Sequence, residues 1–370
     1  MRVPQFDLTN QVERTQAEIH VAIENVMAHR QFILGPEIEA LEKELSDYCG
    51  ARHAVGVSSG TDALLLALMA LNISPGDEII TTPFTFFATA GVIVRLGARP
   101  VFVDIEPESF NLDVAKVEEV ITEKTKAIIP VHLFGRCVSM EPLLKIAKEN
   151  DIYIVEDAAQ AIGARTDQGI AGAIGDAGCY SFFPTKNLGA FGDAGMVVTQ
   201  DEKLFNRLKK LRVHGSMEKY VYEEVGGNFR LDTLQAAVLQ VKLKYLDEWT
   251  TKRRAHALTY DSLLENSGIS GDIVAPPEIP GNNHVFHQYV IRARDRDSLR
   301  DHLKEKEIST GVYYPIPLHV QPCFRRYGYN RGDFPESERA SNEVLALPMF
   351  PEITEKAQEY VVQAIRGFYS

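Results

Sequence analysis

Between residues 53 and 199 the chain alternates short apolar runs with segments of helical period, and few folds accommodate that alternation. Strand-like runs fall at 53–57, 77–81, 100–104, 126–132, 153–155, 178–183 and 196–199. Helical stretches at 63–71, 113–121 and 142–150 lie between them, and Pro83–Thr89 opens another. A helix between successive strands lets the strands run parallel, so the pattern predicts an α/β domain with a mostly parallel sheet. Ligands of such sheets bind at the carboxyl ends of the strands.

The flanks complete the outline. Ile19, Ile23 and Val26 predict a helix over 16–29, and Gly35-Pro36 opens a second lined by Ile38, Leu41, Leu45 and Tyr48. Residues 204–213 read as a helix and 214–227 as a polar loop. Asn228 then opens one long helix, with a stripe of Leu231, Leu234, Val238, Val241, Tyr245 and Trp249. Residues 268–283 are a Gly- and Pro-rich connection. Strand-like runs at 287–293 and 310–314, a helix at 298–305 and a last helix after Pro351 follow. The expected division is a large α/β domain over 1–249 and a smaller α+β domain over 250–370.

Composition narrows the function classes. The net charge of −12 comes with no long basic block, which argues against a nucleic-acid partner. No apolar stretch approaches the roughly 20 residues that span a bilayer, and residues 1–8 lack a secretory leader pattern. Cys49, Cys137, Cys179 and Cys323 are scattered, as expected for reduced thiols of a cytoplasmic protein, and no metal site is expected.

The chemistry falls at strand ends. The 153–155 run delivers Glu156-Asp157-Ala158-Ala159-Gln160, and the 178–183 run delivers Ser181 and, after Phe182-Phe183-Pro184-Thr185, Lys186. Alone, an Asp there is a helix cap and the Lys a solvated cation. Together they suit pyridoxal phosphate (PLP), which needs a lysine amine for its aldehyde and an acid for its ring nitrogen. Ser58-Ser59-Gly60-Thr61-Asp62, between a strand and a helix, reads as an N-cap or as an anion site built from free N–H groups. Gly60, Phe86, Asp157 and Ser181 all fall at strand ends, so four segments point to one site.

These motifs resemble the DegT/DnrJ family of PLP-dependent sugar-nucleotide aminotransferases over nearly the whole chain. The resemblance implies the fold type I architecture of PLP-dependent transferases. It implies that Lys186 binds the cofactor and moves protons, that Asp157 holds the ring nitrogen, and that Gln160 donates to the ring oxygen. Gly60, Thr61 and Ser181 would hold the phosphate, joined by Asn228 from the neighbouring subunit of a homodimer; by its own pattern Asn228 reads as a helix cap. Phe86 would stack on the ring, although three aromatics in four residues also suit a core. Arg230, Tyr313 and His319 would line the substrate. Relatives acting on keto-uronic sugars carry a His where Tyr313 stands, which argues against a uronate. The implied substrates are L-glutamate and a nucleotide-diphosphate keto sugar aminated at C3 or C4, with pyridoxamine phosphate formed between half-reactions. Related dehydratases replace the lysine with His, and a PLP-binding regulator would not need it; Lys186 is present.

Overall fold

The computed structural model describes residues 1–370 except Lys219, Ser270, Glu278 and Pro280. Helix α1 (Thr9–His29) begins seven residues before the predicted start. Its first half buries polar Gln11 and Thr15 rather than an apolar stripe, and the Asp7 carboxylate accepts the Thr9 N–H. Helix α2 (Pro36–Cys49) starts at the expected proline.

Seven strands form the central sheet: β1 (His53–Val57), β2 (Glu78–Thr81), β3 (Arg99–Phe102), β4 (Thr125–Ile128), β5 (Tyr153–Asp157), β6 (Ala177–Ser181) and β7 (Gly195–Thr199). Their order is β1-β7-β6-β5-β4-β2-β3. Only β7 runs against the others, pairing antiparallel with both β1 and β6. Helices α3 (Gly60–Ala70), α4 (Phe87–Arg95), α5 (Met140–Asn150) and α6 (Glu202–Leu211) connect or cover the strands. Successive side chains leave opposite faces of the sheet. Val55, Val57, Cys179 and Val197 pack with α3 and α6, and Ala54, Tyr180, Met196 and Val198 pack on the other face with α2. This is the α/β fold that the alternation predicts.

Several elements differ from expectation. The 126–132 run is a regular strand only to Ile128; Pro130 has no N–H, and beyond it pairing persists as a single bridge, with the Asp157 N–H on Pro130 O (2.9 Å) and the His132 N–H on Asp157 O (3.0 Å). Residues 113–121 form two 3-10 turns, Val114–Lys116 and Glu118–Val120. Val114, Val117 and Val120 recur every three residues, the 3-10 period. Asn228 does not open a helix. Residues 228–232 are extended and bridge three partners, Val213 with Asn228, Val57 with Arg230 and Ile33 with Asp232. The predicted long helix is two, α7 (Thr233–Leu243) and α8 (Leu246–Glu265), with Leu234 exposed rather than in the core.

Helix α8 contains residue 249 and leads to the C-terminal part. There β8 (Ile273–Val274), β9 (Tyr289–Ala293) and β10 (Val344–Leu347) form an antiparallel sheet in that order. Helices α9 (Arg296–Glu305), α10 (Pro335–Glu343) and α11 (Glu355–Tyr369) accompany it. Residues 310–314 are not a strand; one bridge joins Gly311 to Ala346. Among the described residues no helix is long and apolar enough to cross a membrane, and no group of three His, Cys, Asp or Glu is placed to hold a metal.

One buried carboxylate fixes the middle of the sheet. Glu156 accepts N–H groups from Gly172 (2.7 Å), Ile174 (2.8 Å) and Gly175 (2.6 Å), and meets His132 Nε2 at 2.8 Å. His132 Nδ1 accepts the Val138 N–H, so Nε2 carries the proton and donates to Glu156. The loop that supplies these donors crosses Gly178, where a Cβ would lie 1.8 Å from Gly172 O. Replacing Glu156 by Ala orphans four buried donors. The expected loss is about 3–5 kcal/mol of stability, read as a lower denaturation midpoint, with Glu156→Gln less damaging because its amide oxygen still accepts.

Candidate active site

Loops at the carboxyl ends of β1, β2, β5 and β6 enclose a cavity of about 620 Å³. Gly60, Thr61, Phe86, Asp157, Gln160, Ser181, Lys186 and Tyr313 all line it. All but Tyr313, which comes from the C-terminal part, converge because they follow strands of the same mostly parallel sheet.

Lys186 sits on the loop between β6 and β7. Its N–H donates to Phe183 O (2.8 Å), and the loop is closed by Ala190 N–H to Phe182 O (2.8 Å). Gly189 lets the loop fold on itself, since a Cβ there would lie 2.3 Å from Pro184 O. From α7, the Lys242 ammonium donates to Gly189 O and Gln235 Oε1 accepts the Phe191 N–H at 2.8 Å. Burial pushes the Lys186 amine down to about 8, against a raising influence from Asp157.

Asp157 ends β5. Its Oδ2 accepts the Thr89 hydroxyl (2.8 Å) and its Oδ1 the Ala159 N–H (3.2 Å). Burial raises this carboxyl above its ordinary range, opposed by those two hydrogen bonds and by the charge of Lys186. Among the described residues the two groups form no direct ion pair; they act on each other at longer range within one cavity.

The turn before α3 is an anion cradle. Ser59 caps the helix by accepting the Asp62 N–H at 3.1 Å. Gly60 and Thr61 begin α3, so their N–H groups have no intrahelical acceptor and lie at the positive end of the helix dipole. A Cβ on Gly60 would meet Ser181 Cβ at 2.6 Å, so only glycine lets this turn touch the end of β6. Phe86, 56% exposed, presents its ring to the cavity. Anion cradle, carboxylate, low-pKa amine and aromatic face together match the phosphate, ring nitrogen, aldehyde and ring of PLP.

Three predicted residues fall elsewhere. His319 is fully buried against Phe334, with Nε2 3.0 Å from Glu338 Oε1, so it packs the C-terminal part and does not line the cavity. Asn228 is exposed and Arg230 half-buried on the extended segment, outside the cavity of this chain. The cap of α7 is Asp232, so Asn228 is no helix cap.

Sequence reasoning missed Thr89, Tyr314 and His287. Thr89 sits one turn along from Thr85, and the two hydroxyls lie 3.1 Å apart, a spacing visible in the sequence. Tyr314 OH accepts Gln160 Nε2–H at 3.1 Å, while Gln160 Oε1 accepts the Phe134 N–H at 2.8 Å. One Gln160 N–H therefore remains for a ligand. His287 carries no local signal.

Residues 13–366 match the DegT/DnrJ/EryC1/StrS aminotransferase family. Three relatives span nearly the whole chain. A "pleiotropic regulatory protein" of Geobacillus stearothermophilus is 52% identical, covering 100% of this chain and 99% of its own. A UDP-N-acetyl-3-dehydro-alpha-D-glucosamine 3-aminotransferase of Acidithiobacillus ferrooxidans is 41% identical over 98% and 97%. A dTDP-3-amino-3,4,6-trideoxy-alpha-D-glucose transaminase of Streptomyces venezuelae is 42% identical over 99% and 96%. The crystal structure of S. venezuelae DesV with a ketimine intermediate superposes with a TM-score of 0.96 at 41% identity, covering 99% of this chain and 98% of that one. The chain belongs to this aminotransferase family, and its cofactor is PLP.

The electrostatics give a direct test. In cofactor-free protein the Lys186 amine should titrate near 8, measured by pH-dependent acylation and mass spectrometry. Asp157 favours the ammonium, so Asp157→Asn should move the midpoint lower still. A rise on that substitution would contradict the assigned coupling.

Proposed function

We propose that the protein transfers an amino group from L-glutamate to C3 of a neutral nucleoside-diphosphate keto sugar in two half-reactions, as a cytoplasmic homodimer. The observation that carries this reading is one cavity holding the Lys186 amine, the Asp157 carboxylate and the Gly60 cradle. When bound, PLP supplies a ring that accepts negative charge from the donor's Cα and stores the amino group between the two halves.

The chain's residues would do the rest. Lys186, half in its free-base form near pH 8, can take the Cα proton and return it, the match of pKa to working pH that general acid–base catalysis requires. Asp157, aimed by Thr89 and Ala159, would hold the ring-nitrogen proton in place. Gly60, Thr61 and Ser181 would bind the phosphate, and the free N–H of Gln160 the ring oxygen.

Position C3 is supported by both sugar-aminating relatives described above, whose names place the nitrogen there. A neutral sugar is favoured by Tyr313, since the family resemblance implies a His at this position in relatives acting on keto-uronic sugars and this chain has a phenol there. Asn228 and Arg230 would serve a second copy's site. The exposed apolar residues Phe32 and Ile33, which backbone pairing with Asp232 and Thr233 brings to this segment, and Val225, three residues before Asn228, suit such an interface.

A regulatory reading draws on the name of the 52% identical relative. A regulator needs to bind PLP but not to turn over. The yellow protein should lose its colour with glutamate and yield one equivalent of 2-oxoglutarate per site without any sugar. Turnover should continue with 3-keto but not 4-keto nucleotide sugars. Lys186→Ala should reduce turnover by at least about a hundredfold, as removal of an acid–base group does, while still binding pyridoxamine phosphate. No 2-oxoglutarate would favour the regulator.

The shared site has its own test. Asn228→Ala should weaken PLP retention. Mixing it with Lys186→Ala should restore activity in the heterodimers that hold one intact site. Absence of complementation would refute an Asn228 acting across the interface.

A further inference from the structure

Helix α7 reaches the lysine-bearing loop with two side chains. Gln235 and Lys242 stand seven residues apart, two turns of helix, and so share a face. Gln235 Oε1 accepts the Phe191 N–H at 2.8 Å, and the Lys242 ammonium donates to Gly189 O. Both contacts fall on the limb that returns from Lys186 to β7. Leu188 and Ala190 of that limb pack with Ala236 and Leu239 of α7 in one apolar cluster, which also holds Tyr180 and Met196 of the sheet. The Thr233 hydroxyl accepts the Gly35 N–H at 3.1 Å and ties the start of α7 to the chain before α2. The helix is a fixed platform under the loop.

Packing alone does not explain a lysine on that platform. Lys242 is only 3% exposed. Among the described residues no carboxylate forms an ion pair with it. Its partners are Gly189 O and the faces of Phe191 and Trp249, whose ring centroids lie 5.7 and 5.9 Å from Nζ. Burial alone pushes the amine down, to about 8. A buried ammonium without an acid costs more than an apolar side chain of similar length, and two aromatic faces offset only part of that cost. What the amine supplies, and methionine would not, is a strong donor aimed at the loop.

We propose that Lys242 is a positioning residue for Lys186: by holding Gly189 O it fixes the return limb of the loop, and with it the direction from which the ε-amine enters the cavity. Gly189 is where the loop needs fastening. A Cβ there would lie 2.3 Å from Pro184 O, so the chain doubles back at its most permissive residue. Lys186 lies between Pro184 and Gly189 and moves with that turn. Its own N–H on Phe183 O and the Ala190 N–H on Phe182 O, both 2.8 Å, close the loop only on itself and on the end of β6. Lys242 adds an anchor from outside. It does not line the cavity, so it acts on the amine only through the backbone. The catalytic consequence rests on the aminotransferase reading; the fastening of the loop does not.

The test compares the parent protein with Lys242→Met, which keeps the length and removes the donor. In cofactor-free protein, hydrogen exchange at the Ala190 and Phe191 amides should quicken about tenfold while β5 and β6 hold their protection. The Lys186 acylation midpoint should rise from about 8 toward the ordinary lysine range as the loosened loop admits water. The denaturation midpoint should not fall, because the variant sheds a buried unpaired ion. In the holoenzyme kcat should drop about tenfold or more, as lost orientation does, with KM for glutamate held within about twofold. The isotope effect with Cα-deuterated glutamate should rise. A purely structural lysine gives a different pattern, a lower denaturation midpoint with kcat per folded site and the isotope effect unchanged. That pattern, or unchanged exchange in the loop, would overturn the proposal. Should the Met variant not fold, Gln235→Leu, which frees the Phe191 N–H, must loosen the same amides, and Gln235→Glu, which still accepts it, must not. Lack of glutamate turnover in the parent protein would sink the aminotransferase reading alone, since exchange and the acylation midpoint still judge the loop.

Discussion

The site depends on keeping an amine and a carboxylate in one buried cavity without letting them collapse into an ion pair. A direct pair would hold Lys186 as ammonium, useless as a base, and would consume the lone pairs of Asp157. The fold prevents it by giving Asp157 other partners. Thr89 and the Ala159 N–H occupy one lone pair on each oxygen, and both come from elements fixed by the sheet. Lys186 is left to burial, which lowers it to about 8. Desolvation thus prepares the amine and hydrogen bonding restrains the acid.

Strand β5 shows how this is anchored. Glu156 and Asp157 are neighbours, and side chains alternate along a strand, so they leave opposite faces. Glu156 is saturated by His132 and three backbone donors, which locks the end of β5 from behind. Asp157 is then presented to the cavity from a backbone held by the ladder with β6 and by the bonds of Glu156. The acidic pair looks like one motif in the sequence but divides into a structural and a chemical carboxylate.

What was legible in the sequence was what local pattern encodes. Short apolar runs gave the strands, and strand ends gave Gly60, Phe86, Asp157 and Ser181. What was hidden depends on partners distant in the chain. His287 reaches the cavity beside Asn187, one hundred residues earlier, and Tyr314 meets Gln160. His319 misled for the converse reason. It stands in a motif beside Tyr313, yet Glu338 and Phe334 draw it into the core. The stripe from Leu231 to Trp249 misled because helical spacing persists across a bend, and periodicity alone does not register that residues 228–232 are held extended.

That extended segment constrains Asn228 more than its exposure does. Bridges at Val213, Val57 and Ile33, and the Ser58 N–H on Phe229 O at 3.0 Å, fix it at intervals shorter than three residues. The chain has no slack there to swing Asn228 over its own Gly60 cradle without breaking several backbone hydrogen bonds. Each would leave an unpaired polar group, at about 1 kcal/mol or more apiece. A phosphate contact by Asn228 therefore requires a second copy to bring its cradle to this segment. The same rigidity would then help a dimer, because a side chain already held in place loses little entropy when it meets its ligand.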